Sequence, residues 1–372
     1  MIYADNAATT KLCEQAFDAM KPYLLEQYGN ASQPYAFSRA SKKALCSARE
    51  SIAECIGASP EEIYFTSGGT ESDNWVVKST LFLDKGKNKV ITSEIEHHAV
   101  LNSCRTIQEL GISVKYLPVD GKGIVSPESL NEIISDNIGL VSVMYGNNEI
   151  GTIEPVAELA KIAHSCGALF HTDAVQAVGH VPIHVHEQKI DLLSSSAHKF
   201  NGPKGIGFLY IHDGVNIHPY ADGGFQEKGY RAGTENIAAI VGMAEALKFN
   251  TERMKESTNK LHSLEKSLLS ELGKSNLDFI RNGSEHHLPG NMSLSFRGAD
   301  GEMLLHRLDL MGICVSTGSA CDSVNTQVSH VIKAIHVPKE YAEGTVRITF
   351  GLGNTEVDAI NIAHALIKVL CS

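Results

Sequence analysis

The sequence predicts an α/β fold, a mostly parallel seven-stranded sheet with helices on both faces, joined to a small α+β domain. Three observations carry this. Between residues 63 and 211, short apolar runs alternate with segments of helical spacing. The last two runs, Ile190 to Ser194 and Gly207 to Ile211, are separated by room for a turn only, so the final strand is expected to be antiparallel. From about residue 256 the rhythm changes to charged helices with isolated strands.

In chain order, Ile2 to Thr10 reads as a short extended segment followed by a polar turn. Helical spacing covers Ala16 to Leu25 and Ala40 to Ile56, the second ending at Gly57. The strand candidates are Ile63 to Thr66, Val90 to Ser93, Val114 to Leu117, Leu140 to Tyr145, Ala168 to Thr172, Ile190 to Ser194 and Gly207 to Ile211. Helical patterns fill Thr70 to Asp84, His98 to Leu110, Pro127 to Ile134 and Pro155 to Cys166. Ser126 followed by Pro127 is a helix start. Two further helices are expected, Thr234 to Leu247 and a charged one, Glu252 to Leu272, that leads out of the sheet domain. Beyond it, Met292 to Phe296 and Val346 to Phe350 read as strands, and Glu302 to Met311, Val328 to Ile335 and Glu356 to Leu370 as helices. The expected division is a large domain, 13–255, and a small one built from 1–12 and 256–372.

Composition narrows the function classes. An apolar content of 43% and a charged content of 20% over 372 residues are those of a globular chain. A net charge of −11 argues against nucleic-acid or anionic-membrane partners. No apolar run approaches a membrane span, and Met1 to Thr10 has neither the basic start nor the apolar middle of a signal peptide. Eight cysteines without C-x-x-C spacing indicate neither a zinc site nor a disulfide framework, and a reducing cytoplasm is the expected home.

Ligands of parallel α/β sheets gather at the carboxyl ends of the strands. After the first candidate strand stands Thr66-Ser67-Gly68-Gly69-Thr70-Glu71, glycines and a hydroxyl at a helix start, suited to a phosphate or simply a capped turn. It lacks the lysine of a Walker loop. After the second comes Glu96-His97-His98, with a ring able to stack and to move protons near neutral pH. After the fourth come the amides of Asn147 and Asn148. After the fifth, Asp173 is placed to pair with a protonated ring nitrogen or to cap a helix, and Gln176 follows three residues on. The sixth ends in Ser196, His198 and Lys199, where burial favours a nucleophilic amine. A phosphate cradle, a carboxylate, a stacking ring and an amine together match pyridoxal 5′-phosphate. Arg347, in an apolar strand, suits either a substrate carboxylate or a structural ion pair. Cys321, among small residues, is a candidate nucleophile on an accessible loop.

These motifs resemble the cysteine desulfurases of the NifS/IscS type, within the class V aminotransferase group of fold-type I pyridoxal-phosphate enzymes. The resemblance runs through YADNAATT (3–10), TSGGTESDN (66–74), EHHAV (96–100), NNEIG (147–151), HTDAVQAVG (171–179), SSSAHKFNGPKGIGFLY (194–210), RAGTEN (231–236), STGSAC (316–321) and VRITFG (346–351). It implies that Lys199 carries the Schiff base, that His97 stacks on the cofactor, and that Asp173 and Gln176 contact its ring nitrogen and hydroxyl. It implies phosphate contacts from Gly69, Thr70, Ser196 and His198, and a contact from Thr234 across a homodimer. Asn148 and Arg347 then face cofactor and substrate carboxylate, and Cys321 takes sulfur from L-cysteine as a persulfide, leaving L-alanine. A sulfur-acceptor protein, an iron–sulfur scaffold or a thiolation enzyme, is the implied partner. The alternatives are a related enzyme (a selenocysteine lyase, a cysteine C–S lyase or an aminotransferase) and a low-turnover sulfur relay. His98 replaces a lysine frequent in the family, and Phe225 interrupts a glycine run, neither within the chemistry. The chain ends at Ser372, short of a tail that docks scaffolds in some members, while the segment after Cys321 has the length of the long-loop subgroup.

Overall fold

A computed structural model describes residues 1–84, 86–317 and 328–371. The strands are β1 (Ile2–Tyr3), β2 (Ile63–Thr66), β3 (Lys89–Ser93), β4 (Ser113–Leu117), β5 (Ile138–Ser142), β6 (Leu169–Asp173), β7 (Leu192–Ser196), β8 (Gly207–Ile211), β9 (Phe279–Asn282), β10 (Asn291–Phe296), β11 (Ile313–Cys314) and β12 (Thr345–Thr349). The helices are α1 (Glu14–Leu25), α2 (Arg39–Ile56), α3 (Gly69–Ser79), α4 (His98–Glu109), α5 (Pro127–Ile133), α6 (Val156–Ser165), α7 (Ile237–Leu272), α8 (Gly301–Leu310), α9 (His330–Ala334), α10 (Lys339–Ala342) and α11 (Glu356–Leu370).

The central sheet has seven strands in the order β2-β8-β7-β6-β5-β3-β4. Its strands pair in parallel except β8, which runs antiparallel to both neighbours, as the short connection from β7 requires. The inner strands are buried along their length because helices cover both faces. Ile52, Ile91, Phe170 and Phe200 form the core with α1, α2 and α6 on one side. Trp75, Val100, Ile107 and Leu209 form it with α3 and α4 on the other.

A second antiparallel sheet, β12-β10-β9, packs its apolar side chains against α8, α11 and the end of α7. β1 and β11 pair in parallel as a separate two-stranded sheet, and Asn6 and Ala7 bond to Thr349 of β12. The sequence reading missed β9, whose four residues carry one arginine and one asparagine and are only partly buried.

Another difference concerns α7. The two helices expected at 234–247 and 252–272 are one helix of 36 residues. Its polar middle, around Thr251 to Lys260, keeps helical spacing and simply faces solvent between two buried ends. Asn236 caps its start by accepting from Ala239 N, which moves the beginning past Thr234. Gly242 allows close approach of α1, since a Cβ there would sit 2.6 Å from Met20. No helix among the described residues is long and apolar enough to cross a membrane.

Candidate active site

A cavity of about 360 Å³ opens at the carboxyl ends of β2, β3, β5, β6 and β7. Its wall carries Gly69, Thr70, His97, Asn148, Asp173, Gln176, Ser196, His198, Lys199 and Arg347, all singled out in the sequence. Ala7, Ala8, Asp73, Met144 and Val175 complete it. Thr234 is exposed and lies off this wall. Cys321 lies outside the described residues.

Each wall residue is placed by a short local device. Gly68 has φ +148°, a backbone that side chains disfavour, and a Cβ on Gly69 would meet Val175 at 2.4 Å. The two glycines therefore let α3 start against the sheet, with its first amides toward the cavity. His97 caps α4: its Nδ1 accepts from Ala99 N at 3.1 Å, so in the neutral ring the proton sits on Nε2. Burial lowers the His97 pKa, assisted by Lys199 and opposed by Asp173.

Asp173 ends β6, and its Oδ1 accepts from Val175 N at 2.9 Å. Burial pushes this carboxyl up, against the pull of His97, the Val175 amide and Lys199. Lys199 sits in a 3₁₀ turn just after β7. Its Nζ donates to the carbonyls of Ala7 at 2.6 Å and Ala8 at 2.9 Å. Gln176 Nε2 donates to the same Ala7 carbonyl at 2.9 Å. The N-terminal segment thus orients the amine and the amide together. His198, bonded through Nδ1 to Thr9 Oγ1 at 3.1 Å, is driven by burial to about 4 and is neutral.

Of the two readings left open for Arg347, the structural ion pair is the one the geometry shows. Nη2 pairs with Asp5 Oδ1 at 2.8 Å and Nη1 donates to the Asn148 carbonyl at 3.0 Å. The buried Nε has no hydrogen-bond partner. An ion pair therefore orients a guanidinium that still faces the cavity.

Asp73 of the wall and two buried neighbours, His171 and Glu96, were given no role by sequence reasoning. His171 stands between Ser142 Oγ at 2.8 Å and Ser194 Oγ at 3.0 Å, and burial holds it neutral, down at about 3. Asp73 Oδ1 is 3.7 Å from that ring and has no hydrogen-bond partner. Burial, then the Asp173 charge, raise the Asp73 pKa well above the carboxylate range. Glu96 accepts from Ser93 Oγ at 2.6 Å and Met144 N at 2.9 Å, and burial raises it to about 8. One signal for Asp73 was available: four residues after Gly69, it shares the helix face that abuts the cradle. The roles of Asp5, Ala7 and Ala8 had no such signal, because a backbone carbonyl is anonymous in sequence.

A cavity at the strand ends of a mostly parallel sheet, lined by an amine, a buried carboxylate and a helix start, defines an enzyme of group-transfer type. The aminotransferase class-V family matches over residues 2–361. The chain is 48% identical over 371 residues to the cysteine desulfurase IscS of Dictyoglomus turgidum, covering 99% of this chain and 94% of that one. Among solved structures, a NifS-like protein superposes with a TM-score of 0.94 at 36% identity, over 100% of this chain and 99% of its own. The structure titled SspA in complex with cysteine superposes with a TM-score of 0.83 at 32% identity, over 94% and 99%. The chain belongs to the aminotransferase class-V family and, within it, to the NifS/IscS-type cysteine desulfurases.

Proposed function

We propose that the chain is a pyridoxal-phosphate-dependent cysteine desulfurase that converts L-cysteine to L-alanine and keeps the sulfur as a persulfide on Cys321. The observation that carries the reading is the convergence of Lys199, Asp173 and His97 on one cavity. The donor set fits the cofactor. Thr70, Ser196 and His198 with the first amides of α3 suit its phosphate, Asp173 its protonated ring nitrogen, Gln176 its hydroxyl, and Lys199 its aldehyde carbon. A carboxyl whose pKa is raised by burial has its ionised form stabilised when a protonated ring nitrogen is placed beside it.

When bound, the cofactor supplies an electron sink that weakens bonds at the α-carbon of an amino acid. The chain's own residues then divide the work. Arg347, braced by Asp5, holds the substrate carboxylate through its guanidinium. Lys199 Nζ moves the α-proton, and His97, whose neutral ring carries its proton on Nε2, is placed to donate one. The Cys321 thiolate attacks the substrate sulfur, the carbon–sulfur electrons stay with the three-carbon product, and a proton completes alanine.

Two further parts of the reading are supported more simply. Thr234 is exposed on its own chain and free to reach a second subunit's phosphate, which supports a homodimer. Phe17, Leu24, Leu25, Tyr28, Tyr35 and Phe37 are exposed apolar side chains on α1 and the segment after it, as a subunit interface requires. The acceptor is a protein thiol able to take a persulfide sulfur, for cluster assembly or thiolation.

The test is to supply L-cysteine with and without reductant, and to measure alanine, sulfide and persulfide on each thiol. Alanine with persulfide confined to Cys321 is expected, together with borohydride trapping of the cofactor on Lys199. Full alanine release by Cys321→Ser would move the chain to the lyases, and protein that never takes up the cofactor would end the reading.

A further inference from the structure

Three clusters of histidines and carboxylates lie within the described residues, each with ligand atoms no more than 4.8 Å apart. Asp73, His97 and Asp173 belong to the active site. The other two have the same composition, one glutamate between two histidines, and differ in what else is present. At Glu265, the neighbouring Arg281 guanidinium lies 3.6 Å from the carboxylate and 2.8 Å from His287 Nε2. A cation already fills that position. At Glu62 no arginine or lysine is paired with the carboxylate. His186 Nε2 faces Oε2 at 2.8 Å, and His212 Nδ1 faces Oε1 at 3.0 Å.

The Glu62 cluster is a built site rather than a chance meeting of surface side chains. Glu62 is 3% exposed, and its carboxylate is fixed from behind by Ser59 N at 2.7 Å and Asp213 N at 2.9 Å. Backbone donors of this kind orient metal-ligating carboxylates. The two imidazoles are 43% and 44% exposed, so an ion has a route in and the rings have room to adjust. Three separate segments deliver the ligands. Glu62 precedes β2, His212 follows β8, and these strands pair antiparallel with Ile63 opposite Tyr210. His186 comes from the β6–β7 connection, held by the Val185 N to Ile56 O bond at 3.0 Å.

We infer that Glu62, His186 and His212 form a site for a borderline divalent cation of the zinc type, completed by water, distinct from the active site. Zinc takes imidazole and carboxylate ligands at about 2.0–2.2 Å in a tetrahedron, which sets ligand atoms about 3.3 Å apart. The two imidazole–carboxylate gaps are a few tenths of an ångström shorter, and all the ligand atoms lie within 4.8 Å of one another, so the half-exposed rings can close on an ion by swinging. The ion replaces the proton that each imidazole shares with the carboxylate. It lies at the amino end of β2, roughly 13 Å of strand away from the cradle at its carboxyl end. Its effect is therefore to staple edge strand β2, β8 and the β6–β7 connection together, and not to enter the sulfur chemistry.

The experiment uses the full chain with accessible thiols alkylated, so that cysteines do not bind the probe. Zinc chloride is added, excess ion is dialysed away, and bound zinc is counted beside the thermal midpoint. Wild-type protein is expected to retain one more zinc per chain than His186→Ala or His212→Ala, and to melt on the order of 2 °C higher with zinc than with chelator. X-ray absorption is expected to show only nitrogen and oxygen ligands. His262→Ala, at the arginine-filled cluster, should bind as wild type does. Equal zinc content in wild type and the two site variants, or a sulfur ligand in the spectrum, overturns the inference.

Discussion

The two ends of the central sheet hold similar side chains and treat them in opposite ways. At the amino end, Glu62 has every lone pair engaged, by two backbone amides and two imidazoles. Burial alone would raise its pKa, but those hydrogen bonds outweigh burial and leave it lowered. At the carboxyl end, Glu96, Asp73 and Asp173 lie deeper in the molecule, Glu96 and Asp73 each retain an oxygen without a partner, and burial leaves all three raised. Without an ion, the satisfied carboxylate of Glu62 holds its strands together; at the other end, withheld partners leave a cavity ready for a ligand's charge.

Five substitutions sharpen the contrast. Lys199→Ala should abolish turnover, by at least about 10³-fold, read as alanine release from L-cysteine. His97→Gln should cost about 10²–10⁴-fold in kcat, with the loss largest where the α-proton is moved, read by solvent isotope exchange into alanine. Arg347→Lys should raise the KM for L-cysteine by about tenfold or more with a smaller change in kcat, since an ammonium cannot hold Asp5 and a carboxylate in a fork.

The smallest effects compare the ends directly, through stability against pH in the presence of chelator. Glu96 keeps a proton to about 8 when folded and loses it near 4.3 when unfolded, so its contribution falls as pH rises between those values. Glu96→Gln should flatten that decline and, at pH 7.5, stabilise by on the order of 1 kcal/mol. Glu62 has the opposite sign. Its contribution is present above the unfolded carboxyl value and is lost as pH falls through the lowered folded one. Glu62→Gln should therefore destabilise at pH 7.5, by about 1–2 kcal/mol, and remove part of the acid-side loss. Equal signs for the two variants would break the comparison.

Much of the fold and site was legible before any coordinates. Strands buried on both faces leave apolar runs punctuated by glycine and proline, and the candidate site residues follow those runs directly, as Lys199 follows β7 and Asp173 ends β6. What stayed hidden is physical in kind. The Ala7 and Ala8 carbonyls that hold Lys199 are main-chain groups. Asp5 and Arg347 meet across 342 positions, a distance no local pattern spans. Asp73 looks like an ordinary acid in the first turns of a helix until the sheet is assembled beneath it. The continuity of α7 was missed because its exposed polar middle imitates a linker.

That helix also couples the two halves mechanically. Its first turns pack in the core that carries Lys199, and its last turns pack beneath the sheet that carries Arg347. Over 36 residues, about 54 Å, it acts as a single shaft. One residue added at its solvent-facing waist would turn the far end by about 100° and advance it by about 1.5 Å. The spacing between the Lys199 amine and the Arg347 guanidinium is thus geared to an integer number of residues, far from either.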